Sequence, residues 1–125
     1  MSEKSKILIA EDDEFVLSLL EQIEDYDLTM VKNGEECLAA LQKETYDAVI
    51  LDVLMPKTSG LVVLRQLKRE YSETAVIVVT GYGDILRTQI VEIGVDAFIE
   101  KPFTIPDIIQ AVEAALKSRK NPPSS

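Results

Sequence analysis

The stretch VILDVLMP, residues 49–56, places a carboxylate within an otherwise apolar segment. The run before Asp52 is typical of a buried strand, and three more apolar residues follow directly. A buried carboxylate costs on the order of several kcal/mol unless a cation or a hydrogen-bond donor contacts it. The rest of the sequence therefore has to supply a partner for Asp52.

Short apolar runs alternate with segments of helical periodicity along the chain. The runs are ILIA (7–10), LTMV (28–31), AVIL (48–51), AVIVV (75–79) and AFI (97–99). They are short and do not alternate with polar residues, as expected for strands that are covered on both faces. Five strand–helix units predict an α/β fold, a three-layer doubly wound (βα)5 sandwich with a five-stranded parallel sheet.

Three of the predicted helices, those that begin near Phe15, Leu61 and Ile105, have apolar residues at helical spacing. Thr104 is expected to cap the last helix, where its hydroxyl can accept a hydrogen bond from the first turn. The segment EDYDLTM before the second strand is short and leaves the length of the first helix open. The residues expected on the apolar face of the first helix are Phe15, Val16, Leu19, Leu20 and Ile23.

Composition limits the possible functions. The 125 residues suit one domain, which we expect at residues 1–120, with a disordered tail or the start of a linker at 121–125. A net charge of −9 argues against direct binding of nucleic acid, whose phosphates it repels. No apolar run approaches a membrane span and no secretory signal is evident, so we expect a cytoplasmic protein. Cys37 is alone and is expected to be a reduced, half-buried thiol.

The chain has no histidine, so any chemistry has to use carboxylates, lysine, hydroxyls or a hard cation. The carboxyl ends of parallel strands meet at one edge of the sheet, where ligands of doubly wound folds bind. Side chains that follow different strands should therefore converge. The polar residues at predicted strand ends are Glu11, Asp12, Asp13, Asp52, Thr80 and Lys101.

These residue types fit a magnesium and phosphoryl site. Two carboxylates about 4 Å apart repel by roughly 4 kcal/mol at an effective dielectric constant of 20, and a divalent ion with oxygen ligands relieves this. Lys101 and Thr80 can donate to phosphoryl oxygens. Asp52 is then either a further metal ligand or a nucleophile that forms an aspartyl-phosphate. Each signal is weak alone, and their joint placement carries the prediction.

The sequence resembles the receiver domain of bacterial two-component response regulators over roughly residues 5–118. The motifs that carry the resemblance are ILIAEDDE, AVILDVLMPKTSG, AVIVVTGYG and DAFIEKPF. The resemblance implies a flavodoxin-like sheet in the order 2-1-3-4-5 and a role in a phosphorelay. The phosphodonor would be a histidine kinase or a histidine phosphotransfer protein. The domain would signal to a downstream protein or an attached output domain, as a monomer or as a phosphorylation-dependent dimer.

The resemblance also implies a role for individual residues. Asp52 would be the phosphoacceptor, with Thr80 and Lys101 binding the phosphoryl group, and the Lys101–Pro102 peptide would be cis. Thr80 and Phe98 would form the switch, Phe98 standing where the family often has Tyr. Mg²⁺ (or Mn²⁺) would bind Glu11, Asp12, Asp52 and the backbone carbonyl of Leu54. Leu54 and Tyr82 would flank the path of the water that removes the phosphoryl group.

Three alternatives have to be weighed. A phosphatase of the haloacid dehalogenase type needs a second Asp two residues after its nucleophile as a general acid, and this chain has Leu54 there. A flavodoxin needs a Ser/Thr-rich phosphate loop after the first strand, where this chain has the acidic EDDE. An interaction module that is never phosphorylated is the third alternative, and the intact set of acids, Thr80 and Lys101 argues against it. We therefore expect a signalling domain that catalyses only its own phosphorylation and slow dephosphorylation.

Overall fold

The computed structural model describes residues 4–55, 59–81 and 83–120, with the backbone alone for residues 83–85 and 120. Tyr82, Pro56 and the predicted tail at 121–125 lie outside the described residues. Strands and helices alternate strictly along the chain. They are β1 Lys6–Ala10, α1 Glu14–Leu20, β2 Asp27–Val31, α2 Gly34–Lys43, β3 Ala48–Asp52, α3 Gly60–Glu70, β4 Ala75–Thr80, α4 Gly83–Ile93, β5 Ala97–Glu100 and α5 Ile105–Lys120.

The five strands form one parallel sheet in the order β2-β1-β3-β4-β5, which confirms the predicted fold and strand order. The register pairs Asp52 at the end of β3 with Val79 of β4, and Thr80 with Glu100 of β5. The last residues of these three strands therefore lie side by side at one edge of the sheet. No helix in the described ranges is long and apolar enough to cross a membrane.

Each face of the sheet has its own apolar core, because successive strand residues point to opposite faces. On one face, α1 and α5 pack against Ile7, Ile9, Ile50 and Ile77. On the other face, α2, α3 and α4 pack against Leu8, Val49, Leu51, Val76 and Val78. Both faces are covered, which explains why the strands are apolar throughout.

The prediction for α1 was partly wrong. The helix has seven residues, and its buried residues are Val16, Leu17 and Leu20, whereas Phe15 is 76% exposed. Successive residues of a helix are turned by about 100°, so the face that contains Leu17 and Val16 turns Phe15 towards solvent. The predicted burial of Ile23 is confirmed, beyond the end of the helix.

The predicted cap of α5 is confirmed by two reciprocal hydrogen bonds. The backbone N–H of Asp107 donates to Thr104 Oγ1 at 3.2 Å, and the N–H of Thr104 donates to Asp107 Oδ2 at 2.9 Å. This capping arrangement fixes where α5 begins, directly after the β5 end of the sheet.

Cys37 is fully buried in the core between the sheet and α2, not half-buried as predicted. Burial raises the pKa of its thiol to about 12, because the thiolate would lose its hydration. The side chain therefore stays protonated at physiological pH and acts as a small apolar residue.

Gly60, the first residue of α3, lies against the backbone of Val53. A Cβ atom at this position would stand 2.6 Å from the carbonyl carbon of Val53. That distance is well inside van der Waals contact, so only glycine lets α3 begin this close to the segment after β3. The start of α3 therefore constrains the backbone that follows Asp52.

We predict that Gly60→Ala destabilises the protein by about 1–3 kcal/mol, because the added methyl group forces the Val53 backbone to move. Gly81→Ala is the matched control, since a Cβ there would lie 3.9 Å from Lys101 Cβ, in ordinary contact. Urea unfolding followed by circular dichroism gives the free energy of unfolding of both variants. Equal losses of stability would contradict the role assigned to the contact between Gly60 and Val53.

Candidate functional site

Three carboxylates converge at the carboxyl edge of the sheet. Glu11 and Asp12 follow β1, Asp52 ends β3, and one oxygen atom from each lies within 4.8 Å of the other two. Glu11 and Asp52 are 3% and 4% exposed, whereas Asp12 is exposed. Acids at this spacing repel one another, so the arrangement requires positive charge close by.

Lys101 supplies part of that charge. Its Nζ atom lies 2.9 Å from Asp52 Oδ2 and 3.0 Å from Glu11 Oε1. Burial alone lowers the pKa of Lys101, but the hydrogen bonds to Asp52 and Glu11 outweigh it and raise the pKa above the usual value. The ammonium group therefore remains charged, and it is the cationic partner that the VILDVLMP segment requires.

Backbone donors hold the remaining carboxylate oxygens. The N–H of Leu54 donates to Asp52 Oδ1 at 2.9 Å, and the N–H of Asp13 donates to Glu11 Oε2 at 3.0 Å. Both carboxylates are thus fixed by one backbone group and one ammonium group. Asp52 and Glu11 therefore have defined orientations before any ligand binds.

Asp13 has a structural task that separates it from the other acids. Its Oδ1 atom accepts hydrogen bonds from the N–H groups of Phe15 at 2.9 Å and Val16 at 3.4 Å, which caps α1. Of the three consecutive acids, Glu11 and Asp12 cluster with Asp52, and the resemblance assigns the same two to the metal. A cap by Asp13 could have been predicted, since an Asp directly before a helical apolar pattern is a common N-cap.

The charge of the cluster remains unbalanced, because three carboxylates face one ammonium group. Burial and the nearby charge of Asp52 raise the pKa of Glu11 to about 7, against the opposing effects of the Asp13 N–H and Lys101. Burial is the larger cause of this rise, and repulsion from the Asp52 carboxylate adds to it. The donors are all oxygen atoms, which fits a hard divalent cation such as Mg²⁺.

Thr80 lies at the end of β4 and is completely buried. Its carbonyl accepts a hydrogen bond from the N–H of Lys101 at 2.9 Å, which joins the ends of β4 and β5. The Lys101–Pro102 peptide bond is cis, as the resemblance implies. The hydrogen bond between them places Thr80 and Lys101 next to each other at the ends of adjacent strands.

The other predicted site residues lie around this centre. Leu54 is 43% exposed, directly beyond Asp52. Phe98 is half-buried on β5 and packs into the core beneath α3 and α4. Its ring also contacts the guanidinium of Arg87, a residue of α4 that the sequence analysis did not identify. A contact between residues on different elements leaves no local pattern in the sequence.

Comparisons with known proteins agree with this geometry. The family model for the response regulator receiver domain matches residues 7–113. The chain is 38% identical over 119 residues to the uncharacterized transcriptional regulatory protein YkoG of Bacillus subtilis, covering 92% of this chain and 52% of that protein. It is 35% identical over 118 residues to the transcriptional regulatory protein ResD of the same organism, covering 91% and 49%. The chain thus spans about half the length of these relatives.

Solved structures show the same similarity. A CheY-like response regulator receiver domain protein from Methanospirillum hungatei superposes with a TM-score of 0.89 at 25% identity, covering 97% of this chain and all of that one. NtrX from Brucella abortus superposes with a TM-score of 0.85 at 27% identity, covering 94% of this chain and 28% of that one. The family model matches most of the chain. The strand order and the acidic cluster at the strand ends are consistent with that match. This chain belongs to the family of response regulator receiver domains.

Proposed function

We propose that Asp52 accepts a phosphoryl group in a Mg²⁺-dependent step and that the chain relays this signal by a change of conformation. One observation carries the proposal: the buried carboxylate of Asp52, at the end of a strand, lies within hydrogen-bonding distance of the Lys101 ammonium group and beside two further acids. A purely structural role would not require three acids at one edge of the sheet. The family to which the chain belongs supports the same role.

In the proposed transfer, a carboxylate oxygen of Asp52 attacks the phosphorus atom of a phosphohistidine. An O–P bond forms and the N–P bond breaks, and its electron pair stays on the departing imidazole. The hydrogen bond from Leu54 N–H orients the attacking carboxylate. Lys101 Nζ contacts Asp52, and in this proposal it would donate to an oxygen of the transferred group. Thr80 is the second proposed donor.

The proposed metal ligands are the carboxylates of Glu11, Asp12 and Asp52 and the carbonyl of Leu54. When bound, Mg²⁺ (or Mn²⁺) neutralises the charge that builds up on the phosphoryl oxygens and on the acids. The described residues fit this ion because their clustered donors are carboxylate oxygens. Catalysis in this proposal is limited to the domain's own phosphorylation and its slow dephosphorylation.

The proposed phosphodonor is a histidine kinase or a histidine phosphotransfer protein in the cytoplasm. Two relatives are named as transcriptional regulatory proteins, and each is about twice as long as the matched segment. We therefore propose that the signal passes to a downstream protein or an attached output domain through the face formed by α4, β5 and α5. The domain would act as a monomer or as a dimer that phosphorylation induces. A phosphatase function receives no support, because Leu54 cannot act as a general acid.

The proposed switch joins the phosphoryl group to that face. The phosphoryl oxygens would draw the Thr80 hydroxyl towards them, and Phe98 would move inward into the space that becomes available. Because Phe98 has no hydroxyl, its movement would be a change in packing alone. The result is a shift between two populations of the same fold.

We predict that incubation with acetyl phosphate and Mg²⁺ adds one phosphoryl group, detectable by mass spectrometry of the intact protein. Asp52→Asn should remain unmodified, because an amide cannot attack phosphorus under these conditions. Asp25→Asn is the matched control, since it changes an exposed acid outside the cluster, and it should be modified as the wild type is. Labelling of Asp52→Asn to the wild-type level would overturn the assignment.

We predict slow loss of the phosphoryl group, because neither Leu54 nor Tyr82 carries the amide or carboxylate with which Asn, Gln or Glu orients or activates a water molecule. Leu54→Asn combined with Tyr82→Glu should accelerate the release of phosphate by about tenfold or more, since oriented polar groups contribute about ten- to a thousandfold. Release of inorganic phosphate from the purified phosphoprotein measures the rate. The single variants separate the two positions. A double variant that decays no faster than wild type shows that water access is controlled elsewhere.

A further inference from the structure

Arg87 of α4 makes two contacts with β5. Its guanidinium carbon lies 5.0 Å from the centroid of the Phe98 ring, and its NH1 atom lies 3.5 Å from Glu100 Oε1. Phe98 and Glu100 are two residues apart on the strand, so their side chains leave the same face of the sheet. A single side chain of α4 therefore engages both residues at once.

The two β5 residues have different surroundings. Phe98 is half-buried and packs with the core that contains Val78 and Ile90, whereas the side chain of Glu100 is 56% exposed. Glu100 directly precedes Lys101, the residue that contacts Asp52. Two adjacent residues therefore connect the two places: Lys101 contacts the proposed phosphoacceptor, and Glu100 contacts Arg87.

We propose that Arg87 is a positioning residue that holds Phe98 in its half-buried place in the unphosphorylated protein. The proposal depends on the function proposed above, because it assigns to Arg87 a control over the switch at Phe98. An inward movement of the Phe98 ring takes it away from the guanidinium. The contact is thereby lost in the phosphorylated packing, and a contact made in one of two states shifts the equilibrium towards that state.

The chemistry of Phe98 makes this contact matter. A phenylalanine ring has no hydroxyl that can form a hydrogen bond. Its electrostatic interaction with a charged side chain is therefore the attraction of a cation to the face of the ring. Exposed contacts of this type and exposed ion pairs are each weak. Made together by one guanidinium, they should change the apparent affinity for an activating ligand by roughly three- to fivefold.

The test is a titration of the protein with beryllofluoride and Mg²⁺, a stable mimic of the aspartyl-phosphate. Fluorophenylalanine labelling provides the signal, because the chain contains just three phenylalanines and Phe98 can be assigned by substitution. Arg87→Met keeps most of the aliphatic length and removes the charge. It should bind beryllofluoride about three- to fivefold more tightly, and the Phe98 resonance of the unliganded variant should lie closer to its bound position.

The expected sign separates this proposal from a simple charge effect. Loss of a cation weakens the binding of an anion, so tighter binding by Arg87→Met cannot result from the lost charge. Arg69→Met is the matched control, because Arg69 is an exposed arginine paired with Glu70 at the same 3.5 Å. That control should bind beryllofluoride as wild type does, or slightly more weakly. Arg87→Lys retains the cation but not the planar group, and should fall between wild type and Arg87→Met.

A second comparison isolates the ion pair. In a Glu100→Gln background, Arg87→Met should have a smaller effect on beryllofluoride affinity than in the wild type, because one of the two contacts is already lost. Thermal unfolding of each variant checks that the fold is retained. Arg87→Lys keeps the test valid if Arg87→Met proves unstable.

The outcomes distinguish the two proposals. If wild type fails to bind beryllofluoride, the proposed function is wrong. If wild type binds it, but Arg87→Met and Arg87→Lys bind it with unchanged or weaker affinity, the positioning role of Arg87 is wrong and the proposed function stands. Tighter binding with a shifted Phe98 resonance supports both.

Discussion

The contact of Lys101 with Asp52 and Glu11 is the interaction on which the site depends. Two buried carboxylates lie at the ends of neighbouring strands, and each would be unfavourable without a cation. Lys101 contacts both at about 3 Å and keeps them in one place. Because Lys101 follows the end of β5, this strand supplies the cation that allows the acids after β1 and at the end of β3 to be buried. The remaining negative charge prepares the same place for a divalent ion.

The parallel sheet explains how residues so far apart in sequence meet. Its register aligns the ends of β3, β4 and β5, and the cis Lys101–Pro102 bond lies directly after β5. Two further contacts fix the position of the backbone near the acids. Asp13 caps α1 and orients Glu11, and Gly60 allows α3 to begin against Val53. The scaffold therefore determines the geometry of the site before any ligand arrives.

Much of this could be predicted from the sequence, for physical reasons. Buried parallel strands have a continuous apolar pattern, so all five strands were found, and the topology then placed Glu11, Asp52, Thr80 and Lys101 at one edge. The face of α1 was predicted less well. In a helix of seven residues, the apolar pattern fits more than one face, and Phe15 was assigned to the wrong one. Contacts between distant elements, such as that of Arg87 with Phe98, depend on packing and have no local signature.

The most direct test of this account is a crystal structure of the protein with Mg²⁺ and beryllofluoride. The account predicts beryllium bonded to an oxygen of Asp52 and the metal held by Glu11, Asp12 and Asp52. It also predicts that Lys101 Nζ leaves the Asp52 carboxylate to contact a fluorine atom. Beryllofluoride bound at another residue, or Lys101 still joining Glu11 and Asp52 beside an unmodified carboxylate, would contradict it.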